Sequence, residues 1–284
     1  MILKEIDYSA PATLTDACSE CSKSTGAFYL AGGTDLLPQI RMGRHELSKL
    51  VDLKRVPELQ RIRSLENGGL GVGAAVVLSD IARHEKVLTD FKILSDCCLA
   101  VGSYPLRNRA TMAGNICNAS PAADTAAGLL ALDAEVVVKG SEGERTIRIT
   151  EFFKGPSKSA LRPGEVVTEI VLPEESRGFK GWYHRLSRRK GVDLASVAVL
   201  VGRKRSGEHR VCLLAVAPVP KRVFEAEAVL DKNGYGDEAK RKAVEAALAG
   251  ASPIDDVRAT ADYRKKMVGV LTARSIEALA GEDV

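Results

Sequence analysis

The sequence predicts an α+β fold on three observations. A compact apolar strand, Ala27 to Ala31, runs into Gly32-Gly33-Thr34-Asp35 and then a helical Leu36 to Met42. Glycine turns at Asn67-Gly68-Gly69 and Ser206-Gly207-Glu208 each separate two strand-like runs, the pattern of antiparallel hairpins. The last third passes from strands to amphipathic helices, so strands and helices are segregated rather than alternating.

The elements follow in order. Residues 1 to 8 alternate weakly and predict a short strand, and Thr13 to Ser22 predicts a helix with Leu14, Ala17, Cys18 and Cys21 on its apolar face. Cys18-Ser19-Glu20-Cys21 has a metal-ligand or redox spacing, but no second C-x-x-C or histidine pair completes a metal set, so both thiols are expected in the core. After the strand at Ala27, the Gly32-Gly33 turn admits backbone angles that other residues resist. The helix start behind it offers unpaired N–H groups, which can hold a pyrophosphate without a basic side chain. An ordinary turn capped by Thr34 or Asp35 has the same local sequence.

Leu47 to Leu53 predicts another strand, and Arg61 to Leu65 pairs across the turn with Leu70 to Ala75. The glycines at 69, 71 and 73 have a dinucleotide-like spacing, but the preceding segment alternates and is not a buried parallel strand, so a nicotinamide fingerprint is rejected. Ser79 or Asp80 is expected to cap a helix through His84, and a second helix to span Phe91 to Val101. Thr111 to Asp124 lacks both strand alternation and a long apolar stripe, and combines small residues, amides, a hydroxyl and a carboxylate. It has the composition of a binding loop, expected to clasp one ligand together with Ala31 to Leu37. A strand at Glu135 to Lys139 follows. The second half predicts strands Leu194 to Gly202 and Arg210 to Ala217, a helix from Asp237 to Ala249 ending at Gly250, and a helix from Ala259 to Leu279 that buries Tyr263, Met267, Val270, Leu271 and Ala278.

Composition bounds the function. A chain of 284 residues, 45% hydrophobic and 27% charged, is an ordinary globular protein of one to three domains. No apolar run reaches the ~20 residues of a membrane helix, and the first residues lack a signal peptide's apolar core and cleavage site; a cytoplasmic protein with reduced thiols is expected. The 41 basic against 37 acidic residues are scattered apart from short clusters such as Arg185 to Lys190, too thin a footprint for nucleic acid. The sequence offers no nucleophile–base pair and no metal cage.

Ala31-Gly32-Gly33-Thr34-Asp35-Leu36, Leu106-Arg107-Asn108, Thr111-Met112-Ala113-Gly114-Asn115 and Ala119-Ser120-Pro121-Ala122-Ala123-Asp124 together resemble the FAD-binding subunit of the molybdenum hydroxylases. That family includes xanthine dehydrogenase and carbon monoxide dehydrogenase. The resemblance continues through Phe152 to Pro156, Leu161 to Ile170, Trp182 to Arg189, Asp193-Leu194-Ala195 and Asp256 to Arg264, so it covers nearly the whole chain. It implies a two-part FAD-binding domain of the PCMH/VAO type over residues 1–176, divided near residue 55, and a small α+β C-terminal domain over 177–284.

The resemblance also implies a function. The chain would hold FAD non-covalently, take electrons from [2Fe–2S] clusters of a small partner subunit, and pass them to an acceptor such as NAD or a quinone. Hydroxylation would occur on a separate molybdopterin-binding large subunit, leaving this chain without catalytic or metal-ligating residues. The carried-over site comprises Leu30, Ala31, Gly32, Gly33, Thr34, Asp35, Leu36 and Leu37 around the pyrophosphate, and Thr111, Ala113, Gly114, Asn115 and Cys117 on the other side. Ser120 would bond nearby, Asp124 would accept from the ribose, Val167 would lie near the adenine, and His184 or Arg185 would place positive charge near the flavin ring.

Three positions depart from the family pattern: Ala113 stands where glycine is frequent, Cys117 replaces a bulkier apolar residue, and Val101 replaces an aromatic ring. Some relatives carry a cysteine-bearing insertion for a [4Fe–4S] cluster after the second motif; no cysteine lies between Asp124 and Leu132, and no such cluster is expected. The competing readings are a stand-alone flavin reductase on the same fold and a non-catalytic nucleotide-binding module.

Overall fold

The computed structural model describes residues 6–282, Glu282 without its side chain. The first unit is a three-stranded parallel sheet. Strand β1 is Asp7–Ser9, and residues 1–5 of the expected first strand lie outside the described residues. Helix α1 (Leu14–Ser22) starts where the Thr13 hydroxyl accepts from the Asp16 N–H at 3.1 Å; it buries Leu14, Ala17 and Cys21, with Cys18 half-buried against the same core. Strand β2 (Ala27–Leu30), helix α2 (Leu36–Arg41) and strand β3 (Lys49–Asp52) complete the unit, with β3 between β1 and β2. Lys54 donates to the Ala31 carbonyl at 3.1 Å and pairs with Asp52 at 2.7 Å, tying the end of this sheet to the glycine turn.

The second unit opens with the expected hairpin, β4 (Ile62–Ser64) against β5 (Leu70–Gly73), turning at Gly68 with φ +85°. Six helices follow: α3 (Leu78–Arg83), α4 (Glu85–Asp90), α5 (Lys92–Ala100), α6 (Tyr104–Arg107), α7 (Met112–Cys117) and α8 (Asp124–Ala131). Two expectations need correction. Helix α3 begins at Leu78 with Val77 at the cap position, so Ser79 and Asp80 lie inside its first turn and cap nothing. The stretch Thr111 to Asp124 is not a continuous loop: Thr111 caps α7, and Asp124 opens α8. A helix of six residues is too short to display a periodic stripe, and α8 is buried on every side, so neither shows the periodicity of an amphipathic helix.

Strands β6 (Glu135–Gly140) and β7 (Gly143–Arg148), helix α9 (Ile149–Phe152), the short pair β8 (Phe153–Gly155) and β9 (Lys158–Ser159), and β10 (Val166–Leu172) close this unit. Its antiparallel sheet has the order β4-β5-β10-β6-β7.

The third unit is an antiparallel sheet in sequence order: β11 (Lys180–Leu186), β12 (Val197–Arg203), β13 (His209–Leu214) and β14 (Lys221–Arg222). Helices α10 (Phe224–Asn233), α11 (Asp237–Gly250) and α12 (Ala261–Glu282) cover one face. Helix α10 was not legible because its buried side includes Glu227, held by the Val211 N–H and by Arg222. The expected stripe of α12 is also corrected: Tyr263 is 46% exposed and Met267 only half-buried, whereas Arg264, Val268, Leu271, Thr272, Ser275, Ile276 and Leu279 are buried. That stripe includes an arginine, which hydropathy assigns to water.

Strands β12 and β13 are buried on both faces, which explains their nearly unbroken apolar runs. Ala198, Leu200, Cys212 and Leu214 join the core of the first two units, while Val197, Val199, Val201, Val211 and Leu213 pack with Ala243, Ala247, Val268 and Leu271. One sheet is thus the inner wall shared by the first two units and the C-terminal helices.

Candidate functional site

The glycine turn between β2 and α2 is held open. Gly33 has φ +71°, and Asp35 occupies the cap position of α2 without any side-chain bond, so the simple capped turn does not form. Among the described residues, the N–H groups of Gly32, Gly33, Thr34, Asp35 and Leu36 have no hydrogen-bond acceptor; the first returning bond is Leu37 N–H to the Gly33 carbonyl at 3.1 Å. Five consecutive main-chain donors without an acceptor, at residues of which only Asp35 is exposed, have the makings of an anion cradle.

The second stretch closes against this turn. A Cβ on Gly32 would stand 2.1 Å from the Arg109 carbonyl oxygen and 2.9 Å from the Ala110 Cα, so the two chain segments meet there. The Gln39 amide donates to Asn118 Oδ1 at 3.0 Å, with His45 Nε2 2.6 Å behind it, joining α2 to the end of α7. Neither Gln39 nor Asn118 is evident from the sequence, because their partnership comes from tertiary packing between α2, which the pattern places, and α7, which is too short to show a stripe.

Within the second stretch most polar side chains are already engaged. The Thr111 hydroxyl accepts from the Gly114 N–H at 3.0 Å, Asn115 Oδ1 accepts from Thr125 at 2.5 Å, and the Ser120 hydroxyl accepts from the Ala122 N–H at 3.2 Å. Thr111 and Asn115 therefore shape this segment from inside. Ala113 is buried, and burial pushes the Cys117 thiol up to about 12, so it stays protonated at neutral pH. Val101 ends α5, its carbonyl accepting from Arg107 at 2.9 Å.

Asp124 is 5% exposed, and its Oδ1 accepts from the Tyr183 hydroxyl at 2.6 Å and from Arg185 Nε at 2.9 Å. Burial raises the carboxyl, opposed by the Tyr183 hydrogen bond and the Arg185 charge. Burial and the nearby carboxylate raise Tyr183, which keeps its proton and donates it. Arg185 reaches on to Ser187 and to the Asp193 carbonyl. Strand alternation decides between the two basic candidates: Tyr183 and Arg185 share the face toward α8, whereas His184 points to the side of α12, where burial and Arg274 lower its pKa. Arg185 therefore belongs to this cluster and His184 does not. Tyr183 was missed, although its place two residues before Arg185 on one strand was a usable signal. Val167 is buried in β10, paired with Val138, and forms part of the core beneath α7.

Residues 4–175 match the family described as the FAD binding domain in molybdopterin dehydrogenase, and residues 182–279 match the CO dehydrogenase flavoprotein C-terminal domain. The chain belongs to this FAD-binding family; its cofactor is FAD and it is an oxidoreductase chain. It is 31% identical to the carbon monoxide dehydrogenase medium chain of Hydrogenophaga pseudoflava, with 98% of each chain aligned. It is 30% identical to the nicotine 6-hydroxylase medium subunit of Paenarthrobacter nicotinovorans over 97% of this chain and 98% of that one. A solved structure of the Hydrogenophaga carbon monoxide dehydrogenase superposes with a TM-score of 0.93 at 31% identity, covering 99% of both chains. The fit to FAD has a local basis: an anion cradle of main-chain donors without basic side chains suits a pyrophosphate. No helix among the described residues is long and apolar enough to cross a membrane.

Proposed function

We propose that this chain is the FAD-carrying electron-transfer subunit of a cytoplasmic, heteromeric molybdenum hydroxylase. It would receive electrons from [2Fe–2S] clusters of a small subunit and deliver them to an acceptor such as NAD or a quinone, while a molybdopterin-binding large subunit acts on the substrate. The observation that carries this reading is the run of five unpartnered N–H groups at residues 32–36, closed over by the segment from Arg109 to Asn118.

In this reading Gly32 to Leu36 bind the pyrophosphate through the main chain, and Thr111, Gly114 and Asn115 define the opposite wall. Asp124 is neutralised by Arg185 and pinned by Tyr183, so the expected lone positive charge beside the flavin is replaced by an ion pair. Asp124 keeps its second carboxylate oxygen for a ribose hydroxyl. When bound, FAD supplies a carrier able to exchange one electron or two, which suits a position between iron–sulfur donors and a two-electron acceptor. The flavin-type units occupy residues 1–176 and the C-terminal domain 177–284.

The test is to purify the native assembly and measure molybdenum, iron and FAD together. The expected result is one FAD per copy of this chain, with iron and molybdenum co-eluting. A pure assembly of this chain alone, carrying FAD but neither metal, would overturn the reading.

A further inference from the structure

Four non-glycine residues of the described chain adopt positive φ: Ala119 at +47°, Asp133 at +49°, Ser157 at +55° and Ala215 at +62°. Three of them surround one short segment. The Ala119 carbonyl accepts from the Ser157 N–H at 3.1 Å, and the Pro121 carbonyl accepts from the Ala215 N–H at 2.7 Å. Left-handed backbone at alanine and serine is disfavoured, and it persists only where the surroundings over-determine it. Residues 119–121 link α7 to Asp124, so whatever fixes them fixes where the second half of the clasp lies relative to Tyr183 and Arg185.

The Ala215 carbonyl is held by one buried side chain. Arg264, on α12, is 2% exposed and is the largest fully buried side chain of the described chain. Its Nη1 donates to the Ala215 carbonyl at 2.8 Å and the Ser196 carbonyl at 3.1 Å, its Nη2 pairs with Asp256 at 2.5 Å, and its Nε approaches the Ala259 carbonyl at 3.4 Å. Only a planar, multi-donor cation can span two carbonyls and a carboxylate at once; lysine has the charge but not the fork. A buried ion pair contributes little net stability over an apolar replacement, so its distinctive effect here is geometric.

We propose that Arg264 is a positioning residue for the flavin site: through Ala215 it holds the Pro121 carbonyl, and the C-terminal helix thereby sets the preformed shape of residues 119–121. This rests on the FAD clasp described above. The strained backbone is the stored cost of preorganisation, which binding then does not have to meet.

The test uses the full-length chain in its native assembly, with FAD removed and titrated back while flavin fluorescence is followed. Ala215→Gly keeps both main-chain hydrogen bonds and relieves the strain. It is expected to leave the Tm of the FAD-free protein unchanged or higher while raising the FAD Kd roughly fivefold, a loss of preorganisation. Arg264→Lys is expected to raise the Kd about tenfold or more and to shift the absorption envelope of the bound flavin. Gly33→Val serves as the direct-site control and is expected to abolish FAD binding. If Gly33→Val loses FAD while Ala215→Gly and Arg264→Lys bind it as the wild type does, the positioning role fails and the clasp survives. If Gly33→Val retains FAD, the clasp itself fails and the positioning role with it. A parallel fall of Tm and affinity in Ala215→Gly also overturns the proposal, because it marks a purely structural contact.

Discussion

Gly32 shows how narrowly one residue can be determined. The space a methyl group would fill is already taken by the Arg109 carbonyl, 2.1 Å from the ideal Cβ, and backbone cannot retreat as a flexible side chain could. Gly32→Ala is expected to force the two halves of the clasp apart, lowering the Tm by several degrees and yielding apoprotein; a yellow Gly32→Ala protein of normal Tm would contradict that. Asp124 is the complementary case, fixed by charge rather than by space. Asp124→Ala strands Arg185 with only 15% of its side chain exposed and is expected to cost about 3 kcal/mol in urea denaturation of the apoprotein. Asp124→Asn retains an acceptor for Tyr183 and Arg185 and should cost less. It should still weaken FAD retention, and an unchanged affinity on titration would remove Asp124 from the ribose.

At the scale of elements, α7 depends on its cap. Thr111 supplies the acceptor for the Gly114 N–H, so Thr111→Ala is expected to destabilise the protein by about 1 kcal/mol, with Thr111→Ser restoring most of it in thermal unfolding. The same helix marks where sequence reading stops. Helix α1, the β4–β5 hairpin and the β12–β13 hairpin carry their own signals in apolar spacing and glycine turns, and all three form where the pattern places them. Helices α7 and α10 hide theirs, α7 being too short for a stripe and α10 turning Glu227 inward, whereas α12 forms where its pattern places it but buries a different stripe, one that includes Arg264. In the candidate site, the glycine turn and the Thr111 to Asp124 stretch are legible as main-chain features of local sequence. Tyr183, Gln39, Asn118 and Arg264 are not, since each acquires its role from a partner at least 59 residues away in the first case, and from tertiary packing in all of them.

For the whole molecule, buried charge couples the units. Asp133, after α8, receives Arg210 and Arg222 from the C-terminal sheet and Lys204 from the turn between β12 and β13. Burial acts to raise its carboxyl, but hydrogen bonds from Arg210 and Lys204 prevail and hold it below the usual carboxylate range. Asp256 is likewise held low: burial opposes, and bonds from Arg258 and Arg264 prevail. A folded pKa below the unfolded one gives a contribution that is complete above about pH 4 and disappears as pH falls through the folded value. The stability gap between wild type and Asp133→Asn is therefore expected to be widest near neutrality and to narrow steadily below pH 4, followed by chemical denaturation at a series of pH values. A gap independent of pH would show that Asp133 is held by shape alone.

The sheet buried on both faces also bears on the order in which the protein is made. As the chain leaves the ribosome, α5 and α8 emerge before the strands that cover them, and Asp124 is synthesised 59 residues ahead of Tyr183. The cofactor pocket therefore cannot reach its finished form during early translation, and the nascent first half exposes an apolar surface until the hairpin arrives. Translation stalled between residues 124 and 183 should give a species that binds chaperones and retains no flavin.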